Sequence, residues 1–203
     1  MSSKLNKLIA SAALSLLAGT AAQAQTVLKV HHFLPSGSSS QVKIIAPWCA
    51  KIEKESGGEL KCQIYPAMQL GGTPPQLLDQ VRDGVADIVW SVPTYSAGRY
   101  TKSEVFELPF MAINAKQGSQ ALWDYVQKNA LDEYKGIKPL FMHTTEGYVL
   151  HSNKPIHKLE DMKGKKIRTA TRISARMMSA MGGTPVQMPL PQVSDALSKG
   201  VVD

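Results

Sequence analysis

The chain has 203 residues, 43% hydrophobic and 19% charged, with 23 Lys and Arg against 16 Asp and Glu. That is globular composition, enough for one large domain or two small ones, and it excludes intrinsic disorder and fibrous repeats. The net charge of +7 is interleaved with acids along the chain, the pattern of a solvated mixed-charge surface rather than of a nucleic-acid footprint.

The first 24 residues read as an export leader. Lys4 and Lys7 precede the apolar run Leu8–Ala18, and Ala22-Gln23-Ala24 supplies a small-x-small cleavage site. The run is too short to span a bilayer. A soluble, exported mature chain is therefore expected from Gln25, with the net charge falling to +5 once Lys4 and Lys7 are removed.

From there the elements alternate. Leu28–Phe33 reads as a strand, and Ile44, Ile45, Trp48, Cys49 and Ile52 fall at helical spacing before a Gly57-Gly58 stop. Leu60–Tyr65 alternates as a second strand, a helix runs from about Pro75 to Asp83, and Val85–Val92 forms a buried apolar third strand. Leu122, Val126, Ala130 and Tyr134 mark a further helix up to Gly136, followed by extended segments at 137–144 and 148–152. A turn at Leu159–Lys163, a strand at Lys165–Ala170, a helix at Ile173–Met181, a short extended piece at Val186–Met188 and a helix from Pro191 complete the pattern. This succession predicts an α/β fold with mainly parallel sheets.

An internal repeat supports two similar units. Residues 75–87 align without gaps to residues 191–203, and six of thirteen positions match. Each copy is a helix, a glycine stop and the entry to a strand. The second copy ends at Asp203, where the first begins its strand, and the expectation drawn is a truncated chain.

Enzyme signatures are missing from the sequence: no P-loop, no G-x-G-x-x-G, no G-x-S-x-G and no H-E-x-x-H. His31 and His32 are adjacent on a strand, so they point to opposite faces and read as strand-end polar residues. Glu104, Glu107 and Asp132 show no evident pairing and default to solvated surface. Cys49 lies on the apolar side of the first helix, and Cys62 shares the strand face of Leu60 and Ile64. Export permits a disulfide between them, and two buried free thiols are the alternative. Arg168 stands apart, on a strand that runs straight into a helix, where open α/β sheets bind ligands. Taken alone, an arginine there is more often a surface ion-pair partner than a carboxylate clamp.

A series of motifs bears on that choice: Gly57-Gly58-Glu59-Leu60, Tyr65-Pro66, Gln69-Leu70-Gly71, Asp83-Gly84-Val85-Ala86-Asp87, Glu107-Leu108-Pro109-Phe110, Lys154-Pro155-Ile156, the run from Asp161 to Arg168, Met181-Gly182-Gly183-Thr184-Pro185-Val186, and Ala196-Leu197 with Gly200-Val201-Val202-Asp203. In this order they resemble the periplasmic solute-binding subunit of tripartite ATP-independent (TRAP) transporters, the C4-dicarboxylate-binding DctP type. The resemblance implies a two-lobed periplasmic binding protein fold with hinge strands between lobes: lobe I over 25–145 and an incomplete lobe II over 146–203. It implies capture of a small organic acid in the periplasm and delivery to membrane permease subunits for ion-gradient-driven import. No enzyme activity, cofactor, metal or nucleic acid is expected, and the protein is expected to be a monomer. Arg168 would clamp the ligand carboxylate. Phe33, Trp90 and Tyr148 occupy positions that face the cleft, although Phe33 and Trp90 would equally serve as packing between sheet and helix. Ser91 and Arg172 complete the candidate set, Arg172 as the nearest partner for a second carboxylate. Sialic-acid binders of the family carry a second arginine on the strand that holds Tyr148; Glu146–Leu150 lacks it, which favours a monocarboxylate with an apolar or aromatic body. A ligand sensor of the same fold, or a secreted hydrolase using His31 or His151, are the rival readings.

Overall fold

A computed structural model describes residues 25–203; the expected leader, 1–24, lies outside the described residues. The first unit is built on a three-stranded parallel sheet in the order β2-β1-β3, with β1 at Thr26–His32, β2 at Leu60–Tyr65 and β3 at Ile88–Trp90. A π-helical turn, Gln41–Ile45, leads into α1, Ala46–Glu55, which crosses from β1 to β2. The turn Pro74–Gln76 leads into α2, Leu77–Arg82, which returns to β3. Helix α3, Ala115–Tyr125, is capped by the Asn114 side chain, which accepts from Gln117 N–H. It continues as a π turn to Ala130 and a tight turn to Tyr134.

The second unit repeats the plan on a smaller scale. β4, Lys166–Thr169, pairs in parallel with β5, Thr184–Gln187, across α4, Arg172–Ala180; a turn at Leu190–Gln192 then opens α5, Val193–Ser198. The sequence repeat is a structural one. Asp87 N–H donates to Lys29 O at 3.0 Å and its Oδ2 accepts from Lys29 N–H at 2.7 Å. Asp203 makes the same pair with Lys166, both at 2.8 Å. In each copy the aspartate ties the chain leaving the glycine stop to the unit's first strand.

Four buried clusters hold these layers. Val30, Ile45 and Cys49 pack α1 on one face of the first sheet, and Leu78, Tyr100, Leu122, Val126, Ala130 and Tyr134 fill the other. In the second unit Met162, Ile167 and Met178 pack α4, while Met188, Ala196 and Val202 pack α5. Cys49 and Cys62 are bonded as a disulfide, Cα to Cα 5.6 Å, joining α1 to β2 beneath it.

Three expectations need correction. The third strand is three residues long, because Val85 N–H closes the end of α2 on Gln80 O at 2.9 Å and Asp87 is held by Lys29. The segments 137–144 and 148–152 run extended without entering a sheet. Thr144 N–H donates to Ser119 Oγ of α3 at 3.0 Å, so a helix side chain takes the place of a neighbouring strand. Of the acids read as solvated surface, Asp132 is exposed as expected and pairs with Lys102 at 2.7 Å, whereas Glu104 is buried on Arg172 and Glu107 is held by two threonines. Their partners lie 13 to 68 residues away along the chain, where no local pattern shows them.

Candidate functional site

In parallel sheets the ligand end is the carboxyl edge of the strands. Here that edge gathers most of the singled-out residues. Phe33 follows β1, Trp90 ends β3, Ser91 follows it, and Arg168 lies one residue before the end of β4. The two edges face each other. Tyr95 Oη accepts from Leu190 N–H at 3.3 Å, and beside that contact lies a cleft of about 220 Å³. Pro75 and Tyr95 wall it on one side, and Ala170, Gln187, Met188 and Pro189 on the other. A larger hollow of about 470 Å³, lined by Leu159, Lys163 and Met181 among others, sits at the opposite, amino edge of the second sheet. It is lined in part by Glu160 and Lys163 and lies away from Arg168.

Arg168 shares a strand face with its register partner Val186, the side packed by α5. Its Nε–H donates to Met188 O at 3.0 Å, which fixes the guanidinium against the cleft wall. Its Nη2 is buried and has no hydrogen-bond partner. Among the described residues no carboxylate forms an ion pair with it. A buried guanidinium with a donor left over is costly unless something accepts from it. Arg172, four residues on, is spent: its Nε donates to both oxygens of Glu104, at 2.9 and 2.7 Å, and Nη2 donates to Oε2. Contact with Glu104 raises the Arg172 pKa, so its charge is permanent and already balanced.

The aromatic residues divide into two groups. Phe33 is 5% exposed and packs on Tyr95, ring centres 5.7 Å apart. Trp90 packs against the α1 cluster and meets Phe141 at 5.2 Å and His143 at 4.9 Å. One edge of Trp90 is core, as the packing reading expects, and the other meets the extended segment 137–144. Tyr148 is two-thirds exposed, yet its hydroxyl end lies among protein groups. Burial raises its pKa first and the charge of Glu107 adds to that; Arg168 opposes the shift and Tyr95 reinforces it. Tyr148, Glu107, Tyr95 and Arg168 thus share one electrostatic neighbourhood. Ser91 is half-buried at the end of β3, and no hydrogen bond ties its side chain to another described residue.

His31 and His32 are fully buried, deeper than strand-end polar residues should be. His31 Nδ1 lies 2.8 Å from Gln80 Oε1, and Leu70 N–H donates to its Nε2 at 3.4 Å. Gln80 Nε2 is already donating to Gly71 O at 2.9 Å, so its Oε1 accepts and the proton of a neutral imidazole sits on Nδ1. Sequence reasoning missed Tyr95, Glu107 and Thr171. Tyr95 carried a weak signal, an aromatic two residues after a proline just beyond a strand; Glu107 opened one of the quoted motifs yet read as surface, and Thr171 carried none.

The model for bacterial extracellular solute-binding protein, family 7 (DctP) matches residues 30–203. A solute-binding protein of Albidiferax ferrireducens is 26% identical over 89% of this chain and 55% of its own length. The chain spans about half the length of the curated relatives it matches. A TRAP solute-binding protein of Rhodoferax ferrireducens T118, solved with copurified benzoate, superposes with a TM-score of 0.86 at 46% identity, over 88% of this chain and 56% of its own. A marine metagenome TRAP solute-binding protein specific for aromatic acid ligands, solved with 3-hydroxybenzoate, gives a TM-score of 0.81 at 47% identity, again over 88% and 56%.

Proposed function

Because this chain belongs to family 7 of the bacterial extracellular solute-binding proteins, we propose that it captures an aromatic monocarboxylate in the periplasm for import by a TRAP permease. The observation that carries the reading is the buried, unpartnered Nη2 of Arg168 at the carboxyl edge of β4. A guanidinium offers a carboxylate two parallel N–H donors, and each charge-assisted bond contributes about 1.5–3 kcal/mol. Tyr148, whose hydroxyl feels the charge of Arg168, is read as a second donor to the same anion. Phe33, Tyr95 and Trp90 supply apolar and aromatic walls for the ligand body, and Ser91 a hydroxyl at its edge.

With Arg172 tied to Glu104, a second carboxylate on the ligand would face aromatic surface without a partner. That costs several kcal/mol and disfavours a C4-dicarboxylate. The relatives solved with benzoate and 3-hydroxybenzoate support the same ligand class. Residues 25–145 form lobe I in this reading and residues 146–203 belong to lobe II. Export rests on the leader pattern of residues 1–24. Among the described residues no helix is long and apolar enough to cross a membrane, which suits a binding subunit that leaves translocation to its permease.

Calorimetry on the whole native protein with benzoate, 3-hydroxybenzoate and succinate tests the reading. Both aromatic acids should bind, and succinate should bind more weakly than either. Arg168→Lys keeps the charge and loses the fork, so benzoate affinity should fall about ten-fold or more, on the order of 1.4 kcal/mol. Unchanged affinity in that variant, or tighter binding of succinate, would overturn it.

A further inference from the structure

None of the four buried clusters draws residues from both units: two use only residues 30–142, and two only residues 156–202. Contacts between the units include polar ones. The most buried of these is a pair of acids. The tight turn Ser103–Glu107 has three residues per turn, so Glu104 and Glu107 project from the same face. Both reach the start of α4.

Glu104 is 3% exposed and holds the Arg172 guanidinium. Glu107 uses its two oxygens on two units. Oε1 accepts from the Thr94 hydroxyl, just past β3, and Oε2 accepts from the Thr171 hydroxyl at 2.5 Å. Thr94 and Thr171 are 5% and 1% exposed. Thr171 is the N-cap of α4, its Oγ1 accepting from Ser174 N–H and its own N–H donating to Ser174 Oγ at 3.0 Å. Two carboxylates at this helix start also match the positive end of its dipole. Thr171 stands three residues after Arg168, with Thr169 and Ala170 between.

We propose that Glu107 is a positioning residue for ligand capture: by accepting from Thr94 and Thr171 together it locks the β4–α4 turn to the first unit and so holds Arg168 in its carboxylate-binding pose. The inference rests on Arg168 being the ligand anchor. A carboxylate is needed at this position because both partners donate. Glutamine would present one acceptor and one amide donor, and the threonine facing that donor would have to reverse its hydroxyl. At Thr171 such a reversal replaces the charge-assisted cross-unit bond with a weaker neutral one.

The test is benzoate affinity of the whole native protein and of Glu107→Gln, Thr171→Val, Thr171→Ser, Arg168→Lys and the Glu107→Gln/Arg168→Lys double variant. Glu107→Gln and Thr171→Val should each weaken binding about ten-fold, and in the Arg168→Lys background Glu107→Gln should add less than about two-fold, because the group it positions is already compromised. Thr171→Ser keeps the hydroxyl and should bind as the native protein does. If Glu107→Gln does not fold, Thr94→Val leaves the carboxylate intact, removes one donor and takes its place under the same criteria. Native-like affinity in Glu107→Gln beside a crippled Arg168→Lys would overturn the positioning role alone, as would the same fold-loss in both backgrounds. Native-like affinity in Arg168→Lys would overturn the anchor reading and this inference with it.

Discussion

His31 and His32 place two imidazoles side by side on β1, one on each face of the sheet, and both are sealed from water. Burial lowers both pKa values, with Gln80 opposing the shift at His31 and Gln41 at His32; the charge of His31 lowers His32 further. The sign follows. Above the unfolded imidazole pKa of about 6.5 neither state binds protons, and the full stability is present. As pH falls below that value the unfolded chain takes up protons the folded chain refuses, so stability declines until the lowered folded pKa values are reached. Thermal unfolding followed from pH 7.5 to 5 should show the midpoint falling. His31→Gln should reduce the slope, which for each proton is at most about 1.4 kcal/mol per pH unit. A midpoint that is flat over that range would show that the imidazoles protonate inside the fold. Tyr134 behaves in the opposite sense: burial pushes its phenol up to about 12, so its contribution is lost only in strong alkali.

Among the elements, α1 and β2 gain most from a single covalent link. The π turn at Gln41–Ile45 and Pro47 at the helix start give α1 an irregular beginning with no side-chain cap. Its attachment depends on Ile45, Cys49 and the disulfide to Cys62, 13 residues away. Closing a loop of that size removes unfolded-state entropy worth about 3 kcal/mol. Reduction, or Cys49→Ser with Cys62→Ser, should lower stability by about 2–4 kcal/mol in urea unfolding while leaving benzoate affinity within about two-fold, since neither sulfur lines the cleft. A loss below about 0.5 kcal/mol would mean that helix packing alone fixes α1. Helix α4 is anchored differently, by the Thr171–Ser174 capping box and the Glu104–Arg172 pair. It depends on residues of the first unit where α1 depends on its own neighbour.

At the scale of the molecule, two copies of one β-α-β plan meet at their carboxyl edges. Each is closed by an aspartate-to-strand clasp, Asp87 to Lys29 and Asp203 to Lys166. In the proposed reading, a ligand held by Arg168 on one side and aromatic rings on the other binds only when both units are folded and apposed. Benzoate should therefore stabilise the whole protein in one transition. At 100 times its dissociation constant the gain is about 2.7 kcal/mol, read as an upward shift in Tm. The shift should fall to about half in Arg168→Lys at the same benzoate concentration, where a ten-fold weaker site gains about 1.4 kcal/mol, and the ligand should be recovered unchanged. A shift retained in full by that variant would place the anchor elsewhere, and conversion of the ligand would point to catalysis.

Local chemistry determined much of this in advance. The alternation of Leu60–Tyr65 specifies a strand because its period is local. The glycines that stop α2 and α5, Gly84 and Gly200, show in the sequence because a positive φ favours a residue without a side chain. The clasping aspartates show as a repeat because each copy needs the same acceptor at the same offset. Arg168 was legible as a charged residue at a strand end; the clamp role that the motifs around it imply is the proposal made above. The tertiary structure alone decided what the acids do. Glu104, Glu107 and Asp132 look like ordinary surface residues, since a carboxylate in sequence carries no sign of a partner dozens of residues away. It also decided that segment 137–144 docks on α3 through Ser119, and that Arg172 is occupied while Arg168 keeps a donor free. Pattern predicts burial and period; partnership between polar groups is settled only when the chain brings them within about 3 Å.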